Sequence, residues 1–335
     1  MGAYAPIFYY WLVTMTDAQP LSRTQAWLES LRPKTLPLAF AAIVVGTTLA
    51  WWQGFFDPLV AVLALSTAGL LQILSNLAND YGDAVKGSDK PDRIGPLRGM
   101  QKGAISLEQM KRALIIVIVL SCISGLLLLL AASQTLTDFI GFVVLGALSI
   151  IAAITYTVGK RPYGYIGLGD VSVLIFFGWL SVMGSWYLQT HMLIPAIILP
   201  ATACGLLATA VLNINNLRDI DSDRANGKIT LVVRLGPVNA RRYHAGLLAG
   251  ALLCLALFNV LSLHSAWGWL FVLSAPLLLK QARFVMRERD PKAMPPMLER
   301  TVKGALLTNL LFVVGIMLRS EEHTSELQSL QQISY

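Results

Sequence analysis

Residues 58–89 read PLVAVLALSTAGLLQILSNLANDYGDAVKGSD, an apolar run that ends in a cluster of amides and acids. A transmembrane helix needs about 20 apolar residues, so 58–78 is long enough to be a span, with its polar end at the membrane edge. Asn76 and Asp80 stand four residues apart, as do Asn79 and Asp83. Two adjacent stripes of oxygen donors therefore line the end of one helix. An acid at membrane depth is costly and usually faces a bundle interior, and at a helix C-terminus it is also opposed by the macrodipole. A bound cation would remove that conflict.

Working outward, comparable apolar runs lie at 37–56, 113–132, 138–158, 166–188, 192–214, 244–263, 266–279 and 303–318. With 58–78 they predict nine spans, the eighth short enough to be tilted or partly interfacial. Composition agrees: the 335 residues are 55% hydrophobic and 13% charged, against roughly a quarter charged in soluble domains. Charge placement checks the count independently, because basic residues collect in cytoplasmic loops. Of the 26 basic residues, all but Arg319 fall before the first span or after an even-numbered one. The N-terminus is accordingly expected inside and the C-terminus outside. A net charge of +7 does not point to nucleic acid, since these cations sit in short loops between apolar spans. Topology and anionic membrane lipid account for most of them.

A second acidic cluster closes the sixth span, where residues 212–228 read LNINNLRDIDSDRANGK. Asn215, Asp219 and Asp223 share one helical face, and Asn213, Asn216 and Asp221 point elsewhere unless the helix unwinds. Helix termination would explain one such cluster more readily than two matched ones. Carboxylates beside amide oxygens suit Mg²⁺, which is commonly held by one or two carboxylates plus substrate phosphates. Two facing clusters would grip a diphosphate, and Lys86, Arg98, Lys102, Arg218, Arg224 and Lys228 supply cations for its oxygens.

Other features have plainer readings. Cys122, Cys204 and Cys254 show no metal or redox spacing and are expected as small core residues. His191, His244, His264 and His323 are expected at interfaces or in solvent. Gly141, Gly146 and Gly178 are expected mainly at helix-packing positions, and most of the Trp residues at membrane interfaces, with Trp179 the exception. Residues 1–21 form an N-terminal extension without a signal-peptide pattern, 22–319 one membrane domain, and 320–335 a polar tail expected to be disordered and without a catalytic role.

On the motifs NDYGDAVKGSD (79–89) and NNLRDIDSDRANGKITL (215–231), with LRPKTLPLAF (31–40) and TYTVGKRPYGYIGLGD (155–170), residues 22–319 resemble the UbiA-type family of intramembrane aromatic prenyltransferases. The resemblance implies an all-α, nine-helix membrane bundle with two aspartate-rich cytoplasmic motifs, in a bacterial inner membrane. It also implies an Mg²⁺-dependent transfer of a polyprenyl group from its diphosphate. Matched by position, Asn79, Asp80 and Asp83 with Asn215, Asp219 and Asp223 would hold metal and diphosphate. Asp89 would be the later acid of the first motif, and Lys34, Lys86, Arg224 and Lys228 phosphate or acid contacts. Tyr156, Tyr163 and Asp170 would lie near the aromatic acceptor. Gly87 stands where the commoner family spacing has an acid, with Asp89 two residues later, which favours the branch acting on 1,4-dihydroxy-2-naphthoate over the one acting on 4-hydroxybenzoate. The residues leave the proton acceptor open among Asp170, Asp80 and Asp221. The competing class is a divalent-cation transporter, against which stands the placement of both acidic clusters on one side of the membrane.

Overall fold

The computed structural model describes residues 22–87, 99–100 and 102–333, with side chains through Ser320. Every regular element among them is helical. A short helix α1 (Arg23–Leu31) meets α2 (Leu36–Trp52) at a 41° bend. The chain continues through α3 (Pro58–Lys86), α4 (Leu107–Ala132), α5 (Leu136–Thr155), α6 (Gly169–Thr190) and α7 (Pro195–Arg218). After the six-residue α8 (Ile220–Ala225) come α9 (Leu231–Leu263), α10 (Trp267–Arg287) and α11 (Pro295–Ile333). Eight of these helices are long and apolar enough to cross a membrane by themselves, and the bent α1–α2 pair makes the ninth. The nine-span expectation therefore holds among the described residues.

The bundle is arranged around α7, the most buried span, and α5 is the least buried. The main core packs α2, α6, α7, α9, α10 and α11 through residues such as Leu49, Trp186, Leu207, Leu255 and Phe312. Lipid-facing side chains are as apolar as core ones because the solvent there is hydrocarbon; Leu136 and Leu193 are each more than two-thirds exposed. Gly178 of α6 lies against Gly205 of α7, where a Cβ on Gly178 would come 2.6 Å from the Ala201 carbonyl oxygen. This close approach sits within the π-helical stretch Leu174–Met183 of α6. Gly178 is thus a packing glycine, whereas Gly141 and Gly146 have open space around them.

Three expectations change. The helix of α11 runs on to Ile333, through the segment expected to be a disordered tail, because nothing between 320 and 333 breaks a helix already nucleated upstream. His244 is fully buried rather than interfacial; its Nε2 lies 2.9 Å from Gln281 Oε1, and the Gln281 amide donates to Thr301 at 2.7 Å. Cys122 is exposed at the outside of α4, while Cys204 is buried. Trp179 is partly exposed and donates to Thr202 Oγ1 at 3.0 Å, tying α6 to α7.

The two ends of the bundle differ in character. At one end Tyr187 donates to Asp138 at 2.6 Å, Gln189 bonds the backbone of Asp57, and Arg319 donates to the Leu263 carbonyl over the Trp52 ring. Both acidic clusters lie at the other end, on the last turns of α3 and α7. Arg319, the one basic residue outside the charge pattern, thus sits apart from the others.

Candidate active site

The two donor stripes of α3 point to different neighbours. Along the Asn76/Asp80 stripe, Gln72 donates to Asn76 at 3.1 Å, and Asn76 donates to the Leu31 carbonyl at 2.9 Å and to Thr35 Oγ1 at 3.4 Å. Arg32 then pairs with the fully buried Asp80 at 2.5 Å. Arg32 reaches it from the left-handed backbone (φ 52°) that ends α1. This stripe anchors the bent N-terminal helix, which also buries Ala26 against Leu77, Ile105 and Met110. Asp80, expected among the metal ligands, is therefore the counter-ion of Arg32. Replacing Arg32 with Met removes one partner of a largely buried pair and should lower stability by about 1–3 kcal/mol, read as an earlier thermal transition in detergent. The same variant should lose far less activity than one altered in the second stripe.

The Asn79/Asp83 stripe faces the segment between α5 and α6. Thr157 donates to the Ala78 carbonyl at 2.9 Å and to Asn79 Oδ1 at 3.3 Å. Gly82 makes this approach possible, since a Cβ there would meet the Thr157 backbone at 2.8 Å. Tyr165, on the 3-10 turn Tyr163–Ile166, donates its hydroxyl to Asp83 at 2.9 Å.

Tyr165 also joins the two motifs. Lys86 Nζ stands 4.2 Å above its ring and Lys228 Nζ 5.7 Å from it, and the Ile229 amide donates to its carbonyl at 2.9 Å. Lys228 in turn pairs with Asp223 at 3.3 Å. One aromatic side chain therefore holds an acid and a cation from the end of α3 beside a cation from the loop after α8. Sequence reading passed over Tyr165, although it lies within TYTVGKRPYGYIGLGD. Tyr165→Phe keeps the ring under both lysines but removes the bond to Asp83. We expect turnover to fall about tenfold, the scale of one hydrogen bond to a charged group, with the protein as thermostable as before within about 1 kcal/mol.

In the second motif the helix breaks at Asp219 (φ −97°, ψ 11°) and restarts as α8. The register survives the break, because Asp219 N–H donates to the Asn215 carbonyl at 3.1 Å and Asp223 N–H to the Asp219 carbonyl at 2.7 Å. Asp219 and Asp223 are both buried, and Asp221 is exposed. Arg218 clasps Asp219 with two bonds of 2.8 and 2.7 Å. Asn213 turns away to the Ala240 carbonyl, and Asn215 is half-buried.

Behind these acids lies an aromatic wall. Tyr156 and Tyr163 meet edge to face with centroids 5.3 Å apart. Burial and the negative charges of Asp170, Asp223 and Asp83 all raise the Tyr156 pKa, so its hydroxyl stays protonated and can donate. Tyr156 thus lies within electrostatic reach of acids from both motifs. Tyr163, whose pKa burial also raises, uses its hydroxyl on the Ala152 carbonyl at 2.9 Å and Ser172 at 3.0 Å. Asp170 is buried beside Tyr243, with its Oδ1 lacking a hydrogen-bond partner. Of the three acids left open as proton acceptor, Asp80 is bound to Arg32 and Asp221 is exposed, which leaves Asp170 facing the interior.

An open cleft of about 380 Å³ runs along this end, lined by Lys86, Lys160, Arg161, Tyr165, Asn226 and Gly227 among others. Lys160 and Arg161, read from sequence as topological charges, border it. Other expected contacts stand apart from the cleft. Lys102 is paired with Glu29 at 3.2 Å, and Lys34 is exposed within electrostatic reach of Glu299 on α11. Arg224 is exposed on α8. Asp89 and Arg98 fall outside the described residues.

Among the described residues, no three acidic, histidine or cysteine side chains converge closely enough to hold a metal by themselves. The donor set still fits magnesium, which takes few protein carboxylates and completes its shell with substrate phosphate oxygens and water. Here three buried carboxylates, Asp83, Asp219 and Asp223, lie with Asn79 and Asn215 at one end of the bundle, beside lysines suited to phosphate.

A sequence profile described as the UbiA prenyltransferase family matches residues 38–307. The 1,4-dihydroxy-2-naphthoate octaprenyltransferase of Escherichia coli (strain K12) is 82% identical over 304 residues, 91% of this chain and 98% of that protein. The protein of the same name from Haemophilus influenzae (strain ATCC 51907 / DSM 11121 / KW20 / Rd) is 53% identical over 88% of this chain and 97% of its own length. In fold, the chain is similar to a UbiA homologue from Archaeoglobus fulgidus solved with DMAPP and Mg²⁺. That likeness has a TM-score of 0.55 at 16% identity and covers 86% of this chain and 99% of the other.

Proposed function

The chain belongs to the UbiA prenyltransferase family, and from that premise we propose that it transfers a polyprenyl group, octaprenyl in its relatives, to 1,4-dihydroxy-2-naphthoate. The products are demethylmenaquinol, CO2 and diphosphate. The observation that carries this reading is the meeting of both acidic motifs on Tyr165, where Asp83 and Lys86 from one and Lys228 with Asp223 from the other flank a single ring.

Asn79, Asp83, Asn215, Asp219 and Asp223 would hold magnesium, which supplies charge neutralisation for the departing diphosphate. Lys86 and Lys228 would contact its phosphate oxygens as point charges. Asp89 and Arg98 would add to this shell from the loop after α3. The allylic C–O bond breaks with its electron pair going to the diphosphate, and the prenyl carbon, now cation-like, is attacked by the ring carbon that bears the carboxylate. The ring–carboxylate bond then breaks, CO2 leaves, and its electron pair restores the aromatic ring. Tyr156 and Tyr163 wall the acceptor, with the protonated Tyr156 hydroxyl as a donor to it. Asp170 takes the acceptor's hydroxyl proton, which strengthens the nucleophile, and returns it to the same oxygen once CO2 has left and the ring is aromatic again. The catalytic unit is residues 22–319. It works from the cytoplasmic side of a bacterial inner membrane, with the N-terminus inside and the C-terminus in the periplasm.

Purified full-length protein in detergent, given Mg²⁺ and octaprenyl diphosphate, is offered dihydroxynaphthoate and 4-hydroxybenzoate in parallel, with products read by mass spectrometry. We expect a decarboxylated prenyl-naphthalene and no 4-hydroxybenzoate product, and no product once EDTA removes the metal. Turnover of 4-hydroxybenzoate alone would overturn the acceptor assignment.

A further inference from the structure

On α10, away from the motifs, Lys280, Arg283 and Arg287 project from one face of the amphipathic stretch Ala275–Arg287. They line, with Phe284 and Glu288, an open cleft of about 410 Å³. All three are exposed, and none has an ion pair or hydrogen bond among the described residues. Some other cations at this end are ion-paired, Arg32 with Asp80, Lys102 with Glu29, Lys228 with Asp223 and Lys303 with Glu299, whereas these three share one cleft without such a partner. The cleft's own acid forms no ion pair with them: Glu288 Oε1 accepts from the backbone amides of Arg289 and Asp290 at 2.8 and 2.9 Å, and its single charge leaves the cleft cationic against three bases.

Next to this basic stripe the same helix exposes Leu279 and Met286, while Leu278, Gln281 and Val285 are buried against the bundle. Three faces thus follow one another around one helix end: core, cations, and apolar side chains open to lipid. From Lys280 to Arg287 the cations extend about 10 Å along the axis, at 1.5 Å per residue. That length exceeds one phosphate and suits two joined by a short polar bridge. Basic pockets on the cytoplasmic side of membrane helices are suited to anionic lipid headgroups.

We infer that this cleft is a binding site for an anionic phospholipid whose headgroup carries two phosphates, of the diphosphatidylglycerol kind. Its acyl chains lie along Leu279 and Met286, and its phosphates lie on Lys280, Arg283 and Arg287. The site is separate from the prenyl diphosphate cleft and does not depend on the reaction proposed above.

The test uses the full chain released from detergent in native mass spectrometry, with diphosphatidylglycerol, a neutral phosphatidylcholine and inorganic pyrophosphate as separate probes. Wild type should retain diphosphatidylglycerol over phosphatidylcholine and resist its displacement by pyrophosphate. The triple variant K280Q/R283Q/R287Q should bind that lipid at least tenfold more weakly, while K280R/R283K/R287K, which keeps the charge, should bind it nearly as wild type does. The lipid should also raise the unfolding temperature of wild type and not of the glutamine variant. Equal retention by the glutamine variant would overturn the proposal. So would displacement by pyrophosphate at concentrations comparable to the lipid, which would mark a free-phosphate site.

Discussion

Asp83→Asn should lower kcat by roughly 10²–10³-fold, the scale of losing one strong electrostatic contact to a transition state, while the protein still assembles and melts near the wild-type temperature. Asparagine is nearly isosteric, and its carbonyl oxygen still accepts the Tyr165 hydroxyl that now bonds Asp83. What changes is the charge available to a divalent cation. Asp219→Asn should be equally inactive but less stable, because Arg218, itself buried, currently has both oxygens of that carboxylate as partners. Steady-state turnover alongside thermal melting separates the two cases. Near-normal turnover in Asp83→Asn would mean that the inner stripe of α3 does not carry the leaving-group charge.

The second large effect is on assembly. Gly205→Val should destabilise the bundle by about 1–3 kcal/mol or more, the cost of overpacking a close contact, and lower the unfolding temperature in detergent by several degrees. A Cβ at Gly205 would come 2.8 Å from the Leu174 carbonyl oxygen and 3.1 Å from the Gly178 Cα. The Leu174 side chain, whose Cδ1 would be 2.6 Å away, can swing aside, but the α6 backbone cannot, so α6 and α7 must separate. Gly146→Val, whose added carbons meet open space, is the control and should melt as wild type does. Because α7 carries Asn215 and leads directly into Asp219, the Gly205 variant should lose activity in step with its fold.

The spans were legible because hydrocarbon solvent imposes length and apolarity on each helix independently of its neighbours. Both acidic clusters were legible for a related reason: nothing apolar explains Asp83 or Asp223 at a span's end. The division of labour between the two α3 stripes was not. Asn76 and Asp80 have the same spacing and chemistry as Asn79 and Asp83, and only the packing of α1 across α3 brings Arg32 onto Asp80. Arg32 itself reads as one topological charge among many, and its left-handed backbone at the helix end is a tertiary outcome. Tyr165 went unread because its value lies in where Lys86 and Lys228 arrive from distant segments. His244 was misplaced since a helix position near a span's start does not reveal that Gln281 of another helix waits inside. The short eighth span hid its construction, a 3-10 stretch over Trp267–Ser274 running into an α-helix.

On the function proposed here, both motifs act together on one magnesium-bound diphosphate. The most direct test of this is the equilibrium binding of an unreactive prenyl thiodiphosphate to the full chain by calorimetry, with and without Mg²⁺, in wild type, Asp83→Asn and Asp219→Asn. We expect binding that requires Mg²⁺ and that either single substitution weakens about 100-fold or more, a loss of at least ~2.7 kcal/mol. Metal-independent binding, or tight binding that survives the loss of one motif's acid, would contradict it.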